Sequence, residues 1–314
     1  MTKSSRARTL RLAIFGDRRK GHVAEAIADF ADFVKGKPLD SAPLDKARGR
    51  QGRVRTVVNC GIDECTPDNL QEADYAIVFG GDGSIIAAAR RLSRSDDKTG
   101  IPVIGVNLGK LGYLAEFSVE ELKKFFPELM KGKAIIEKRM MLLCQVLRKG
   151  RERFCSTAVN DVFITAGPPF RMIDLKMFVD GQHLGDCVSD GLVVSTPTGS
   201  TAYGLSAGGP ILSQKMEGIV ITPICPHSLS FRPIVIRADS VVELRGERLN
   251  EGTTVSIDGQ VSLELEIDDV VQIKRHKRDF LVVNNPLRCE WDTLATKLGW
   301  AEKPKYQGVE KNNR

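Results

Sequence analysis

The chain has 314 residues, 42% of them hydrophobic and 27% charged, the balance of an ordinary globular protein and far from the composition of disorder. Lys and Arg number 46 against 40 Asp and Glu, a net charge of +6 that mildly favours anionic partners. Aromatic residues are only 6%, too few to interleave with basic clusters as nucleic-acid binding asks, and no apolar run approaches the roughly 18 residues of a membrane span. No nucleic-acid, membrane or export role is therefore expected. Seven cysteines (60, 65, 144, 155, 187, 225 and 289) lie scattered without zinc spacing, which suits a reducing cytoplasm and predicts neither disulfide nor zinc.

At roughly 150 residues per domain the length predicts about two domains. Leu10 to Phe15 reads as a strand, and Val23, Ile27, Phe30 and Val34 then fall at helical spacing. Further strands are expected at 53–59, 75–79 and 102–106, with helices at 85–92 and 119–130. Continuously apolar strands alternating with helices predict an α/β domain over residues 1–134, with a mostly parallel sheet covered on both faces.

In such sheets ligands sit at the carboxyl ends of the strands, and the third strand runs straight into Gly80-Gly81-Asp82-Gly83-Ser84. Glycines let a phosphate approach the backbone, and Ser84 is placed to cap the following helix. Asp82 would repel a phosphate that it merely cradled. Its presence suggests a base for an attacking hydroxyl, a metal ligand, or a helix-capping carboxylate in an ordinary turn. The segment is neither a Walker loop nor a dinucleotide fingerprint.

From about residue 135 short strands with period-two alternation recur: 142–147, 159–165, 174–179, 192–195, 218–222, 234–236, 240–244, 254–257, 270–273 and 280–283. Turns are expected at Asp180-Gly181, Gly185-Asp186, Asp190-Gly191 and Asp258-Gly259, and the basic run 274–278 reads as a hairpin tip. This predicts an all-β, sandwich-like domain over 135–286. Trp291, Leu294 and Leu298 restore helical spacing, so residues 287–314 are expected to pack a helix back on the first domain and end in a frayed tail from 302.

The segment Asp190 to Ile211 is dense in glycine and hydroxyl groups, suited to a ligand with many oxygens, and Tyr203 offers a flat face for a ring. Within it Gly204-Leu-Ser206-Ala-Gly208 fits the hydrolase nucleophile pattern, with His227 as a possible base. No strand runs directly into Ser206, and the only acid between it and His227 is Glu217, so His227 reads better as a structural residue.

Together Gly80-Gly-Asp-Gly83, Leu108 to Phe117, Ala158-Val-Asn-Asp-Val162, Asp190 to Ile211, Pro223 to Leu229 and Ser256-Ile-Asp-Gly-Gln260 resemble the NAD kinase family, in family order across residues 10–300. The Ser195 to Tyr203 stretch is the most specific of them. The resemblance implies transfer of the terminal phosphoryl group of a nucleoside triphosphate, ATP by expectation, to the adenosine ribose 2′-hydroxyl of NAD, giving NADP. It implies that Asp82 is the general base and that Gly81 and Gly83 admit a triphosphate carrying a divalent metal, expected to be Mg²⁺, without a dedicated protein cage. Asn160 and Asp161 would grip the adenosine-side ribose. Thr201, Ala202, Tyr203 and Ser206, with Thr198, Gly204 and Leu205 of the same loop, would contact rings and amides. Tyr113, where the family usually has Phe, would lie near the adenine. Asp190 would meet the nicotinamide end across a subunit interface, and Gln260 and Arg171 are further binding candidates.

Val188 stands where members often carry a basic side chain, which bears on the choice between NAD and NADH. A homodimer or homotetramer in the cytoplasm is expected. Other readings are a lipid kinase with the same loop, which would need an apolar entrance that Ser195 to Ser206 does not offer, and a non-catalytic dinucleotide-binding regulator, which would not need Asp82.

Overall fold

The computed structural model describes residues 9–35, 38–39, 52–60, 73–93, 100–109 and 112–299. Strand β1 (Thr9–Gly16) leads into α1 (Gly21–Val34), whose buried residues are the four expected from the spacing: Val23, Ile27, Phe30 and Val34. There follow β2 (Pro38–Leu39), β3 (Gly52–Cys60), β4 (Tyr75–Phe79), α2 (Asp82–Leu92), β5 (Val103–Val106) and α3 (Val119–Met130). A capping box between Ser118 and Glu121 starts α3. Strands β3, β1, β4 and β5 pair in parallel. Leu10, Leu12 and Ile14 face one way, into a core with α1 and α3, while Ala13 and Phe15 face α2 on the other side. Both sheet faces are thus covered, as the continuously apolar strands predicted.

The second half runs through β6 (Ile136–Arg139), β7 (Leu142–Arg148), β8 (Arg151–Ala158), β9 (Asp161–Thr165), β10 (Ile173–Val179), β11 (Gln182–Ser189) and β12 (Gly191–Ser195). After a 3₁₀ turn (Gly199–Thr201) and the single-turn α4 (Tyr203–Ser206) come β13 (Gly218–Ile224), β14 (Ile234–Arg237), β15 (Val242–Arg248), β16 (Thr254–Ile257), β17 (Val261–Glu264), β18 (Asp269–Arg275), β19 (Phe280–Val283) and α5 (Glu290–Leu298). Two antiparallel sheets, β11-β10-β15-β18-β7-β8 and β14-β13-β12-β9-β16-β17, face each other. Alternate residues such as Leu142, Cys144, Val146, Leu244 and Ile273 from one sheet meet Val162, Ile164, Leu192, Val194 and Ile257 from the other.

Three expectations are corrected. Strands β18 and β19 lie in different sheets, so 274–278 is a crossover with the His276 side chain buried, and no hairpin tip. Strand β19, grouped by sequence with the β-rich half, joins the first sheet between β5 and β6; its unbroken Phe-Leu-Val-Val is the signature of a strand covered on both faces. Gly185-Asp186 is no turn: Gly185 (φ +154°) sits beside a bulge in the β10–β11 pairing, inside β11.

Arg288, just before α5, bonds Glu121 of α3 at 2.9 Å, and Lys297 of α5 lies over the Tyr113 ring at 4.7 Å, so the chain end returns to the first domain as expected. Of the three spacing residues only Leu294 is buried; Trp291 and Leu298 are exposed, and the tail from 302 lies outside the described residues. Among the described residues no helix is long and apolar enough to cross a membrane.

Phe30 is fully buried, with its ring centroid 5.8 Å from those of both Phe79 and Phe126. Phe30→Ala is expected to cost about 3–5 kcal/mol, read as a lower urea midpoint at unchanged slope.

Candidate active site

The glycine turn after β4 delivers Asp82 as the first residue of α2, with exposed Gly81 and Gly83 on either side. Gly80 has φ +151°, and a Cβ there would come within 2.5 Å of Ser84 Oγ, so this position requires glycine. The helix starts a turn earlier than its apolar pattern indicated. Gly81 is therefore the N-cap and Ser84 lies within the first turn, without the capping role expected for it.

The Asp82 carboxylate does not cap the helix either; it reaches across to the segment after β5. Its Oδ2 accepts from Tyr113 N at 2.8 Å, and its Oδ1 accepts from Leu114 N at 2.9 Å and Ala115 N at 3.1 Å. A carboxylate has about four acceptor positions, so three are filled and one, on Oδ2, is left. Gly112 is what permits this approach, because a Cβ there would stand within 1.9 Å of Asp82 Oδ1.

A second carboxylate repeats the pattern. Asp258, at φ +52° in the β16–β17 turn, has a fully buried side chain that accepts from Val159 N (3.1 Å), Asn160 N (2.8 Å) and Asp161 N (3.2 Å). The loop that presents Asn160 and Asp161 is thereby tied to the β16–β17 turn. The segment after β12 locks onto the same loop. Thr196 Oγ1 donates to Val159 O at 2.6 Å, and Gly199 packs so closely on Asn160 that a Cβ would meet its carbonyl oxygen at 2.0 Å. The buried Asp161 carboxyl is pushed up to about 7, first by burial and then by the neighbouring Asp258 charge, with the Tyr203 backbone amide opposing the rise.

Thr198, Thr201, Ala202, Tyr203, Gly204, Leu205 and Ser206 form the turn and short helix that follow. Tyr203 is held edge-on against Phe163 of β9 at 4.8 Å and remains partly exposed. Gln260 connects the halves: its Nε2 donates to Gly83 O at 2.8 Å, and its Oε1 accepts from Arg90 of α2 at 2.7 Å. The structure thus gathers Asp82, Gly81, Gly83, Tyr113, Asn160, Asp161, Gln260 and the 198–206 segment along one seam between the domains. The Tyr113 ring is turned beneath Lys297 of α5, and burial, then the Asp82 charge, holds its hydroxyl above the usual range.

Arg171 and Asp190 lie elsewhere. Asp190 precedes β12 and bonds Ile224 O and Ala166 N, whereas Ser195 at the other end of β12 pairs with Asp161. Five residues at ~3.3 Å each separate those ends. Arg171 is tied to Asn250 by its carbonyl at Asp190's end. His227, whose amide donates to Val188 O, belongs to that end as well, well away from Ser206.

Sequence reasoning missed Gly112, Arg90 and the reach of Asp258. The Asp258-Gly259 pair looked like turn chemistry alone, and an arginine on the buried face of α2 was the one available signal.

The fold sets a glycine-carboxylate turn on an α/β sheet facing a hydroxyl-rich loop on a β-sandwich. Residues 54–134 match the family described as ATP-NAD kinase N-terminal domain, and residues 159–285 match ATP-NAD kinase C-terminal domain. The NAD kinase of Geobacter metallireducens is 40% identical over 296 residues, covering 93% of this chain and 99% of that one. The NAD kinase of Geotalea daltonii is 38% identical over 246 residues, or 78% and 85% of the two chains. Among solved structures, yeast NADH kinase complexed with NADH superposes with TM-score 0.75 at 25% identity, covering 96% of this chain and 90% of that one. An Archaeoglobus fulgidus NAD kinase in complex with ATP shares the fold at TM-score 0.67 and 22% identity, over 92% and 99% of the chains. The chain belongs to the NAD kinase family.

An acid raised by burial stabilises the fold only while protonated, so Asp161's contribution to stability falls as pH rises from about 4 to about 7. Asp161→Asn should accordingly raise the melting temperature more at pH 8 than at pH 5; an equal shift at both would contradict the assignment.

Proposed function

We infer that the chain is an NAD kinase, transferring the terminal phosphoryl group of a nucleoside triphosphate to the adenosine ribose 2′-hydroxyl of NAD. The observation that carries the mechanism is the Asp82 carboxylate, held by three amides with one acceptor position left on Oδ2. A group so fixed needs no reorganisation to take the hydroxyl proton as that oxygen attacks phosphorus. Phosphoryl transfer otherwise asks the protein for positioning and charge neutralisation. The open Gly81 and Gly83 leave room for the triphosphate beside that oxygen, and Asn160 and Asp161 stand across the seam to hold the ribose. Tyr203 and the hydroxyls of 198–206 supply a ring face and hydrogen-bond partners for the dinucleotide.

ATP is the donor we favour, with Mg²⁺. Among the described residues no group of three or more potential metal ligands gathers. With one free acceptor position, Asp82 could add at most one bond, so the residues fit an ion that arrives on the triphosphate. When bound, the ion neutralises the phosphate oxygens. The separation of Asp190 and Arg171 from Asp161 supports a role for them at the far end of an extended dinucleotide or in a neighbouring subunit of a homodimer or homotetramer.

Incubated with NAD, ATP and Mg²⁺, the protein should form NADP, and Asp82→Asn should lose roughly 10²–10⁴-fold in turnover with NAD binding retained; unchanged turnover in the variant would rule out the base. Gly112→Ala, which drives a methyl into the Asp82 carboxylate, is expected to lose turnover to a similar extent while keeping the fold by circular dichroism. Ribose hydroxyls donate to an ionised carboxylate, so KM for NAD should rise as pH falls below about 7, and Asp161→Asn should flatten that dependence.

A further inference from the structure

We propose that Gln260, Arg90 and Asp258 form in series a strut that sets the distance between the Asp82–Gly83 turn and the Asn160–Asp161 loop, and that Arg90 and Asp258 are positioning residues for phosphoryl transfer. This rests on the kinase reading above. Three observations support it. Arg90 is only 8% exposed on a helix whose other buried residues are Ile85, Ile86, Ala88 and Ala89, an expensive place for a guanidinium unless its charge has a purpose there. Its charge is met from the other domain: Nη1 stands 3.7 Å from Asp258 Oδ2, and Nη2 donates to Gln260 Oε1 at 2.7 Å.

Each partner in turn grips backbone that carries a functional side chain. Asp258 accepts the amides of 159–161 and donates its own N–H to Asp161 O at 2.9 Å, while Gln260 donates to Gly83 O next to Asp82. One chain of contacts therefore runs from the base-bearing turn, through Gln260, Arg90 and Asp258, to the ribose-facing loop. The geometry makes Gln260 a bridge of this strut, so its effect on NAD should be indirect. Arg90 also balances the Asp258 charge that sits against Asp161.

A strut differs from a binding contact in what its loss does. Misplacing reacting groups by about 1 Å costs about 10²-fold in rate, whereas each loop would still bind its own ligand. The test measures kcat by NADP formation and Kd for NAD by equilibrium titration on full-length wild type, Arg90→Ala, Arg90→Lys and Gln260→Ala. The expected result is a kcat loss of about tenfold or more in both alanine variants, exceeding the loss in NAD affinity, with partial recovery in Arg90→Lys. Affinity losses that equal or exceed the kcat losses, or wild-type kcat in both alanine variants, would overturn the strut. Gln260 is exposed, so Gln260→Ala remains informative if Arg90→Ala fails to fold. If wild type itself makes no NADP, the kinase reading fails; if wild type is active and the split is absent, only the strut fails.

Discussion

Two carboxylates, each accepting from three consecutive backbone amides, hold the interdomain seam together. Asp82 ties the turn after β4 to residues 113–115, and Asp258 ties the β16–β17 turn to residues 159–161. Removing a carboxylate from water costs several kcal/mol unless the lost hydration is replaced, and hydrogen bonds to a charged acceptor return about 1.5–3 kcal/mol each. Three such bonds offset burial while leaving almost no freedom of orientation. The loops on either side of the seam owe their shape to this exchange, as their backbones would otherwise present unpaired N–H groups.

The rest of the fold serves these anchors. Strands β4 and β5 lie side by side, so the turn after one and the segment after the other meet at their carboxyl ends, where open α/β sheets bind ligands. The sandwich contributes Asp161 at the start of β9, opposite Ser195 at the end of β12, and its core between the two sheets keeps that edge in place. Chain return through Arg288 to Glu121 and Lys297 over Tyr113 closes the far side of the 112–117 segment. The candidate site is thus built on sheet ends, with short loops braced from both domains.

Much of this was legible beforehand where a local period carries the information. Val23, Ile27, Phe30 and Val34 identify the buried face of α1, and Val162, Ile164, Val255 and Ile257 alternate inward as half-buried strands should. The glycine turn and the 195–203 stretch could be read as candidate-site segments from composition and resemblance. What could not be read depends on contacts between residues far apart in the chain. Whether Asp82 caps its own helix or reaches residues 31–33 positions ahead is decided by the β4–β5 pairing, which leaves no local trace. Asp258-Gly259 has the residues of a turn with φ > 0, and it is one, but its carboxylate points inward to a loop almost 100 residues earlier. β19 shows the same limit: four apolar residues announce a buried strand without saying which sheet receives it.

The central claim is that Asp82 Oδ2 stands ready for the ribose 2′-hydroxyl, and a crystal structure with NAD, Mg²⁺ and a non-hydrolysable ATP analogue tests it most directly. The account predicts the adenosine 2′-oxygen within about 2.6–3.2 Å of Oδ2, with the three amide bonds to Oδ1 and Oδ2 intact. An adenosine ribose bound away from Asp82, with that carboxylate still facing only its three amides, would contradict it.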